Sequence, residues 1–194
     1  DTTVHIIEIE DGPYSIGDLS DEYKALPYIL KLVIDNQNHY DALIIGCAGD
    51  AGLEGAREKS RIPIVGPGES SILLGTCGDR RFSMVTISSE RAAIKRRLVR
   101  EAGLDINRLV SSHSIGIPVV DLYKDVKRTK RELIRCMEEA KEKGADVMIV
   151  GCMSIGFMEA ELLHEAEKAA GLPLVNPVVA SVKMAEALVS LKNY

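Results

Sequence analysis

A motif that occurs twice constrains the fold of this chain more than any other feature. The run Asp41-Ala-Leu-Ile-Ile-Gly-Cys47 returns 105 residues later as Asp146-Val-Met-Ile-Val-Gly-Cys152, and both copies are apolar runs of strand length that end in Gly-Cys. Residues 62–67 are echoed in the same way by residues 172–177, at an offset of 110. A duplicated strand–cysteine–helix–strand unit predicts two similar half-domains, each of which presents one thiol.

The composition is that of an ordinary globular protein and argues against several classes of function. Of the 194 residues, 46% are hydrophobic and 27% are charged, which is typical of a folded protein with an ample core. The net charge of −5 gives no reason to expect nucleic acid or a membrane surface as a partner. No apolar run approaches the roughly 18 residues of a membrane-spanning helix. The 4% aromatic content, without Trp, argues against base-stacking surfaces.

The four cysteines indicate neither a disulfide framework nor a zinc site. No two of them have Cys-x-x-Cys spacing, and the four histidines show no metal-ligand spacing. We therefore expect free thiols in a cytoplasmic protein with no bound metal. Cys77 lies in a glycine-rich link and Cys136 in the middle of a helical pattern, so we expect both to be structural or surface thiols.

Apolar runs of strand length alternate with helical patterns along nearly the whole chain. Continuous apolar strands between helices indicate parallel sheets covered on both faces, and hence an α/β fold. The predicted strands are residues 4–9, 42–46, 62–65, 82–87, 109–115, 147–151 and 173–175. The predicted helices are residues 23–38, 53–59, 89–102, 126–143, 158–170 and 179–191, with a further helix that opens at residues 69–70.

The repeat also predicts where the half-domains divide. We expect residues 1–78 to form the first half-domain and residues 79–178 the second. Residues 4–9 match the strand at 109–115, whereas the strand at 82–87 has no counterpart in the first half. We therefore expect the native protein to have a strand and a helix before Asp1. Together with residues 179–194, that strand would complete the first half-domain.

Both repeated cysteines lie where a parallel sheet binds its ligands, outside the carboxyl ends of the strands. The residues that follow them are Ala48 and Gly49 in one copy and Met153 and Ser154 in the other. Their backbone N–H groups can bind a carboxylate or carbonyl oxygen of a substrate, and the same partial positive charge lowers the pKa of a thiol. The alternative is that both cysteines are small hydrophobic side chains that end buried strands.

Two hydroxyls and one glycine-rich turn are further candidates. Thr86 and Ser88, at the end of the strand at 82–87, can contact a substrate in the same crevice or can serve ordinary strand and N-cap roles. The turn Gly66-Pro-Gly-Glu-Ser70 lacks the third glycine of a dinucleotide-binding motif. We expect Glu69 or Ser70 to cap the helix that follows this turn, in preference to the alternative that the turn contacts a ligand directly.

The residues around the cysteines are similar to those of a known enzyme superfamily. Gly46-Cys-Ala-Gly-Asp50, followed by Ile62-Pro-Ile-Val-Gly-Pro-Gly-Glu69, resembles the aspartate/glutamate/hydantoin racemase superfamily, and Gly116-Ile-Pro-Val-Val-Asp-Leu122 resembles its hydantoin racemase branch. The resemblance implies two flavodoxin-like (Rossmann-like) half-domains related by pseudo-two-fold symmetry. It also implies a cofactor-independent active site in the crevice between them, with Cys47 and Cys152 as the acid/base pair.

The resemblance implies inversion of a carbon next to a carbonyl, with a 5-substituted hydantoin as the expected small-molecule substrate. One thiolate removes a proton from one face, and the opposite thiol returns a proton from the other. Two like charges in one crevice repel each other, which keeps one of the two thiols protonated. We also expect a homo-oligomer, as is common among soluble enzymes.

Three alternative functions remain open at this point. One is an aspartate/glutamate-type racemase, another is a maleate-type isomerase with a nucleophilic cysteine, and the third is a two-lobed binding protein. A dicarboxylate substrate needs fixed cations, yet no Arg or Lys immediately follows either cysteine. Arg57 and Lys59 are expected to lie on a solvent-facing helix, so the sequence favours a neutral or monoanionic ring.

Overall fold

Strands and helices alternate in the computed structural model, which describes residues 2–191. The helices are α1 (Leu19–Asn36), α2 (Leu53–Lys59), α3 (Pro67–Gly75), α4 (Ser89–Glu101), α5 (Val126–Glu142), α6 (Met153–Gly156), α7 (Ala160–Ala170) and α8 (Pro177–Ser190). The strands are β1 (Leu43–Ile44), β2 (Ile64–Val65), β3 (Phe82–Thr86), β4 (Leu109–Ser114), β5 (Val147–Val150) and β6 (Leu174–Val175). These bounds confirm the predicted α/β alternation from residue 19 onward.

The strands form two parallel sheets, and these sheets carry the sequence repeat. Within residues 2–191, β1 pairs with β2, and a second sheet has the order β4-β3-β5-β6. Leu43 lies opposite Ile64 in the first sheet, and Met148 lies opposite Leu174 in the second. These two pairings are related by the same offsets of 105 and 110 that the sequence shows. The predicted duplication is therefore a duplication of strand pairing.

Helices cover both faces of the second sheet. Each residue of β5 is buried, as expected for an apolar strand inside a parallel sheet. Met148 and Val150 belong to the core that includes residues of α5 and α7, while Val147 and Ile149 belong to the core formed with α3 and α4. The cysteine that follows β5 is thus held at the end of a strand that is fixed on both faces.

The expected strand at residues 4–9 is wrong. These residues form no strand, and Val4 and Ile6 are 60% and 79% exposed. A strand is stabilised by hydrogen bonds and side-chain contacts with a neighbouring strand. In the part of the chain that the structure describes, no strand pairs with this segment, so it lacks the neighbour that a strand needs.

Helices α3 and α8 each pack against the sheet that they do not follow in sequence. Helix α3 follows the first sheet in sequence but packs against β5 and α4, while α8 follows the second sheet but packs against β1, β2 and α3. The packing of α8 supports our proposal that residues from 179 onward serve the first half-domain. We propose to keep the division into half-domains 1–78 and 79–178, although α3 of the first packs on the sheet of the second. Residues 192–194 of that segment lie outside the described residues. Across residues 2–191, no helix combines the length and the apolarity needed to cross a membrane.

Candidate active site

Cys47 lies shortly beyond β1 in a tight turn, and its side chain is partly exposed. The Asp50 N–H closes the turn by donating to the Cys47 carbonyl at 2.9 Å, and the Gly49 N–H donates to Cys47 Sγ at 3.4 Å. Burial raises the pKa of the Cys47 thiol, while the Gly49 N–H and the charges of Lys95 and Arg91 oppose that rise. The Gly49 N–H therefore faces the sulfur, and no helix begins directly at this cysteine.

Cys152 follows β5 as the N-cap residue of α6, and its side chain is also partly exposed. Because Met153 and Ser154 are the first residues of that helix, their N–H groups have no partner within it. The Tyr123 hydroxyl donates to the Ser154 carbonyl at 2.8 Å. Burial and, to a smaller extent, the charge of Cys152 raise the pKa of Tyr123, so this phenol lies near the second thiol.

One buried lysine connects the two cysteine loops. Lys95, on α4, is 1% exposed, and its Nζ donates at 3.0 Å to the carbonyl of Ala48 and at 3.0 Å to the carbonyl of Gly151. Each carbonyl belongs to a residue next to a cysteine, and the two lie within twice that distance of each other. The structure therefore brings together the loops that carry Cys47 and Cys152.

A second buried cation lies beside the first cysteine. Arg91, one turn before Lys95 on α4, is 4% exposed. Its Nη1 donates to the Glu22 carboxylate of α1 at 3.0 Å, and Arg97 binds the other oxygen of Glu22 at 3.2 Å. The guanidinium also contributes to the charge that acts on the Cys47 thiol.

These cations add to the sequence analysis, which noted that no Arg or Lys immediately follows either cysteine and considered only Arg57 and Lys59 nearby. That observation rested on neighbours along the chain, whereas Arg91 and Lys95 arrive from a helix far away in sequence. A signal was present in the sequence. Ala92, Leu98 and Val99 form an apolar stripe along α4 at helical spacing, and the two cations lie within that stripe. Charged residues within such a stripe point into the protein. By contrast, Arg57 and Lys59 are on the surface as expected.

The loop of Cys47 is also tied to α3. The Asp50 carboxylate accepts the N–H groups of Gly68 and Glu69 at 2.8 and 2.6 Å, at the first turn of that helix. The expectation that Glu69 or Ser70 caps α3 is therefore wrong, since the Ser70 hydroxyl instead donates back to the Gly66 carbonyl. Burial raises the pKa of Asp50 to about 6, against the effect of the two N–H donors.

The structure separates the roles available to the two predicted hydroxyls. Thr86 is buried and donates to the Gly151 carbonyl at 3.4 Å, so it lies beneath the Cys152 loop. Ser88 is the N-cap of α4, where its hydroxyl accepts the Arg91 N–H at 3.2 Å. It is half-buried and borders a cleft of about 360 Å³ at the carboxyl ends of β3 and β4. The cleft is lined by serines and apolar residues that include Ser15, Ser89, Ser114, Ile117, Val119 and Val120.

The other two cysteines and the buried histidine lie on or beside other elements: Cys77 follows α3, Cys136 lies on α5 and His113 on β4. Cys77 is exposed, and Cys136 is a buried core residue whose pKa burial raises to about 11. His113 is buried in β4 between Ser111 and Glu139. Within residues 2–191, no three His, Cys, Asp or Glu side chains are grouped as a metal site requires.

Comparison with known proteins gives the chain a family. The family model described as Asp/Glu/Hydantoin racemase matches residues 1–185. The hydantoin racemase of Pseudomonas sp. (strain NS671) is 32% identical over 196 residues, which cover 98% of this chain and 76% of that protein. The hydantoin racemase of Rhizobium meliloti is 33% identical over 180 residues, which cover 92% of this chain and 73% of that protein.

A solved structure leads to the same conclusion. The allantoin racemase from Pseudomonas fluorescens superposes with a TM-score of 0.87 at 26% identity, over 96% of this chain and 77% of that one. The fold and the relatives define an isomerase of the racemase class. The chain belongs to the Asp/Glu/hydantoin racemase family, as the resemblance of its motifs implied.

Proposed function

We propose that the protein inverts the ring carbon of 5-substituted hydantoins without a cofactor, with Cys47 and Cys152 as the acid/base pair. The observation that carries the proposal is the placement of the thiols. They end equivalent strands of a duplicated unit, both are partly exposed, and one ammonium binds a carbonyl beside each of them. Two thiols so arranged can act on one carbon from two sides, which inversion requires.

The reaction is a proton exchange between the two faces of one carbon. The thiolate of one cysteine removes the proton, and the electron pair of the C–H bond moves into the adjacent carbonyl to form an enolate. The thiol of the other cysteine then donates its proton to the opposite face as the carbonyl re-forms. The two cysteines have exchanged protonation states, so the enzyme is ready for the other enantiomer.

A hydantoin ring suits this chemistry and agrees with the relatives. The ring carbonyl and nitrogen make the inverting carbon more acidic than that of a free amino acid. Allantoin is a hydantoin with a ureido group on the same carbon. The compounds for which these relatives are named therefore share one ring. We propose that the N–H groups of Ala48, Met153 and Ser154 bind ring oxygens, and that the cleft beside Ser88 receives the ring substituent.

An aspartate/glutamate-type racemase is the second candidate, and the buried Arg91 and Lys95 are the observation that favours it. Both could attract a dicarboxylate. Arg91 is already paired with Glu22, however, and Lys95 with two backbone carbonyls, which is why a hydantoin is our first choice. A cytoplasmic location and a homo-oligomeric assembly also remain proposals.

Single replacements of each cysteine in heavy water test both the substrate and the mechanism. We expect the wild-type protein to abolish the optical rotation of 5-substituted hydantoins or allantoin, but not that of aspartate or glutamate. Cys47→Ser and Cys152→Ser should each stop racemisation in both directions, because inversion needs an acceptor and a donor. The remaining thiol can still exchange the proton on its own face, so proton NMR should show deuterium entering opposite enantiomers in the two variants.

Cys77→Ser is the matched control, since it removes an exposed thiol outside the site, and it should racemise like the wild type. Rotation lost for aspartate or glutamate alone would support the second candidate. Deuterium entering the same enantiomer in both variants, or full racemisation by either, would exclude the symmetric two-thiol mechanism.

A further inference from the structure

Lys95 is a charged side chain enclosed in the protein interior. Enclosing an ammonium is unfavourable unless it is hydrogen-bonded and its charge is compensated. The carbonyls of Ala48 and Gly151 satisfy hydrogen bonding, but neither carries a full negative charge. The groups near the ammonium that can carry a negative charge are the sulfurs of Cys47 and Cys152 and the carboxyl of Asp50.

The space that Lys95 occupies exists because Gly151 has no side chain. A Cβ on Gly151 would fall 2.7 Å from Lys95 Cε and 3.0 Å from its Nζ. The Thr86 hydroxyl donates to the same Gly151 carbonyl from below. The position of the ammonium is therefore set by packing and by the hydrogen bonds that it donates to both cysteine loops.

A fixed cation between the two loops matches the charge pattern of the proposed reaction. The thiol pair carries one negative charge before and after each turnover, but that charge moves from one sulfur to the other. A cation that is bound equally to both loops compensates the charge in either state without moving, which is how preorganised electrostatic stabilisation operates.

We propose that Lys95 is a positioning residue for racemisation, which fixes the two cysteine loops against each other and favours the thiolate of whichever cysteine acts as the base. This inference rests on the proposed function of Cys47 and Cys152. It adds a third ionisable group to the site. This group lies on α4, which is outside both copies of the repeated sequence.

The groups that face the ammonium determine how pH affects it. Arg91 approaches from the same helix, Cys47 and Asp50 from the loop after β1, and Cys152 from the end of β5. Burial and the charge of Arg91 lower the pKa of Lys95, while the other three groups oppose this. Removing the ammonium takes positive charge from both thiols, so their deprotonation should require a higher pH.

Lys95→Met keeps the length of the side chain and removes the charge. We expect kcat for both hydantoin enantiomers to fall roughly 10- to 100-fold, with a smaller change in KM. The acid limb of the pH profile of kcat/KM should move up by about one pH unit. Lys141→Met is the control, because Lys141 also donates to a backbone carbonyl, that of Ala170 at 3.2 Å, but lies outside the site; it should leave both quantities unchanged.

Alkylation by iodoacetamide tests the inference without relying on racemisation. Peptide mass spectrometry across a pH series gives the alkylation midpoints of Cys47 and Cys152, and we expect Lys95→Met to raise both. If the wild type racemises no hydantoin while these midpoints still shift, the proposed substrate is wrong but the role of Lys95 stands. A folded Lys95→Met protein with unchanged midpoints and an unchanged acid limb would overturn the inference.

Lys95→Arg separates the effect of the charge from the effect of its position. It also provides the test if Lys95→Met does not fold. The guanidinium keeps the positive charge but cannot fit the space beside Gly151 in the same way. We expect the alkylation midpoints to stay at their wild-type values while kcat falls. Full activity of Lys95→Arg would contradict a positioning role.

Discussion

At the scale of single residues, glycines next to the cysteines determine where the buried cations lie. A Cβ on Gly49 would fall 2.3 Å from Arg91 Nη2, just as one on Gly151 would meet Lys95. Protein interiors are close-packed, so a charged side chain enters only where such space exists. The glycines beside the thiols therefore make room for the charges that act on them.

Gly49→Ala tests this use of space. The new methyl group would displace the Arg91 guanidinium, which is buried and bound to Glu22, and we expect the free energy of unfolding to fall by about 1–3 kcal/mol. Urea denaturation measures the change. Gly46→Ala is the matched control, because Gly46 lies beside the same cysteine and a methyl group added to it would meet no atom within 4 Å; its effect should stay within about 0.5 kcal/mol. Equal effects of the two substitutions would show that Arg91 does not need the space.

At the scale of elements, each cysteine loop is tied to the helix that begins after the neighbouring strand. In the first half, Asp50 of the loop caps α3. In the second half, the connection runs in the other direction. Asn176 caps α8 by accepting the Val178 N–H, and its own amide donates to the Gly156 carbonyl at the end of α6, the helix whose N-cap is Cys152, both at 2.8 Å. Different side chains thus connect the segment after each cysteine to the helix that follows the neighbouring strand.

The burial of the Asp50 carboxyl, which caps α3, makes the stability of the protein depend on pH. The pKa of Asp50 is about 6 in the folded protein, against an ordinary value of 3.8, so the folded state favours the protonated carboxyl. The stabilisation that comes from proton binding to Asp50 in the folded state is fully present below pH 3.8 and is lost as the pH rises through about 6. We expect the stability of the wild type relative to Asp50→Asn to fall over that window by on the order of 1–3 kcal/mol. Urea midpoints of both proteins at several pH values measure this difference, and a rise with pH would mean that the two N–H donors outweigh burial.

The bounds of most elements followed from the sequence because their signals are local. Helix α2 begins and ends at the predicted residues, and α5 differs from its prediction by one residue at its end. Residues 4–9 carry an equally clear strand pattern but form no strand. A strand needs a partner, and its own residues do not say whether one is present.

At the scale of the whole molecule, α1 and α4 are joined by a buried ion pair. Helix α1 packs against α2 and the first sheet's core, whereas α4 packs against β3 and β4. Glu22 of α1 and Arg91 of α4 are 5% and 4% exposed, and their charges meet at 3.0 Å. Since Lys95 lies one turn further along α4, this pair helps to hold the helix that connects the cysteine loops.

Glu22→Gln tests the connection between the two helices. The substitution leaves Arg91 buried without its compensating charge, so we expect a loss of roughly 3–5 kcal/mol in the free energy of unfolding. Asp35→Asn, on the same helix, breaks the exposed ion pair with Lys31 and should cost less than about 1 kcal/mol. Thermal and urea denaturation of the two variants give the comparison, and similar losses would mean that the buried pair contributes no more than a surface one.

The sequence by itself determined the α/β alternation, the duplicated unit and the positions of its two thiols. These features are encoded by the spacing of residues near one another in the chain or by an internal repeat, and both can be read without coordinates. Only the tertiary structure decided what surrounds the thiols. Lys95 binds carbonyls that lie 47 and 56 residues away in sequence, and Asp50 caps a helix 18 residues further on. Such contacts depend on how helices pack across two sheets. A pattern of neighbouring residues does not record which distant residues will meet.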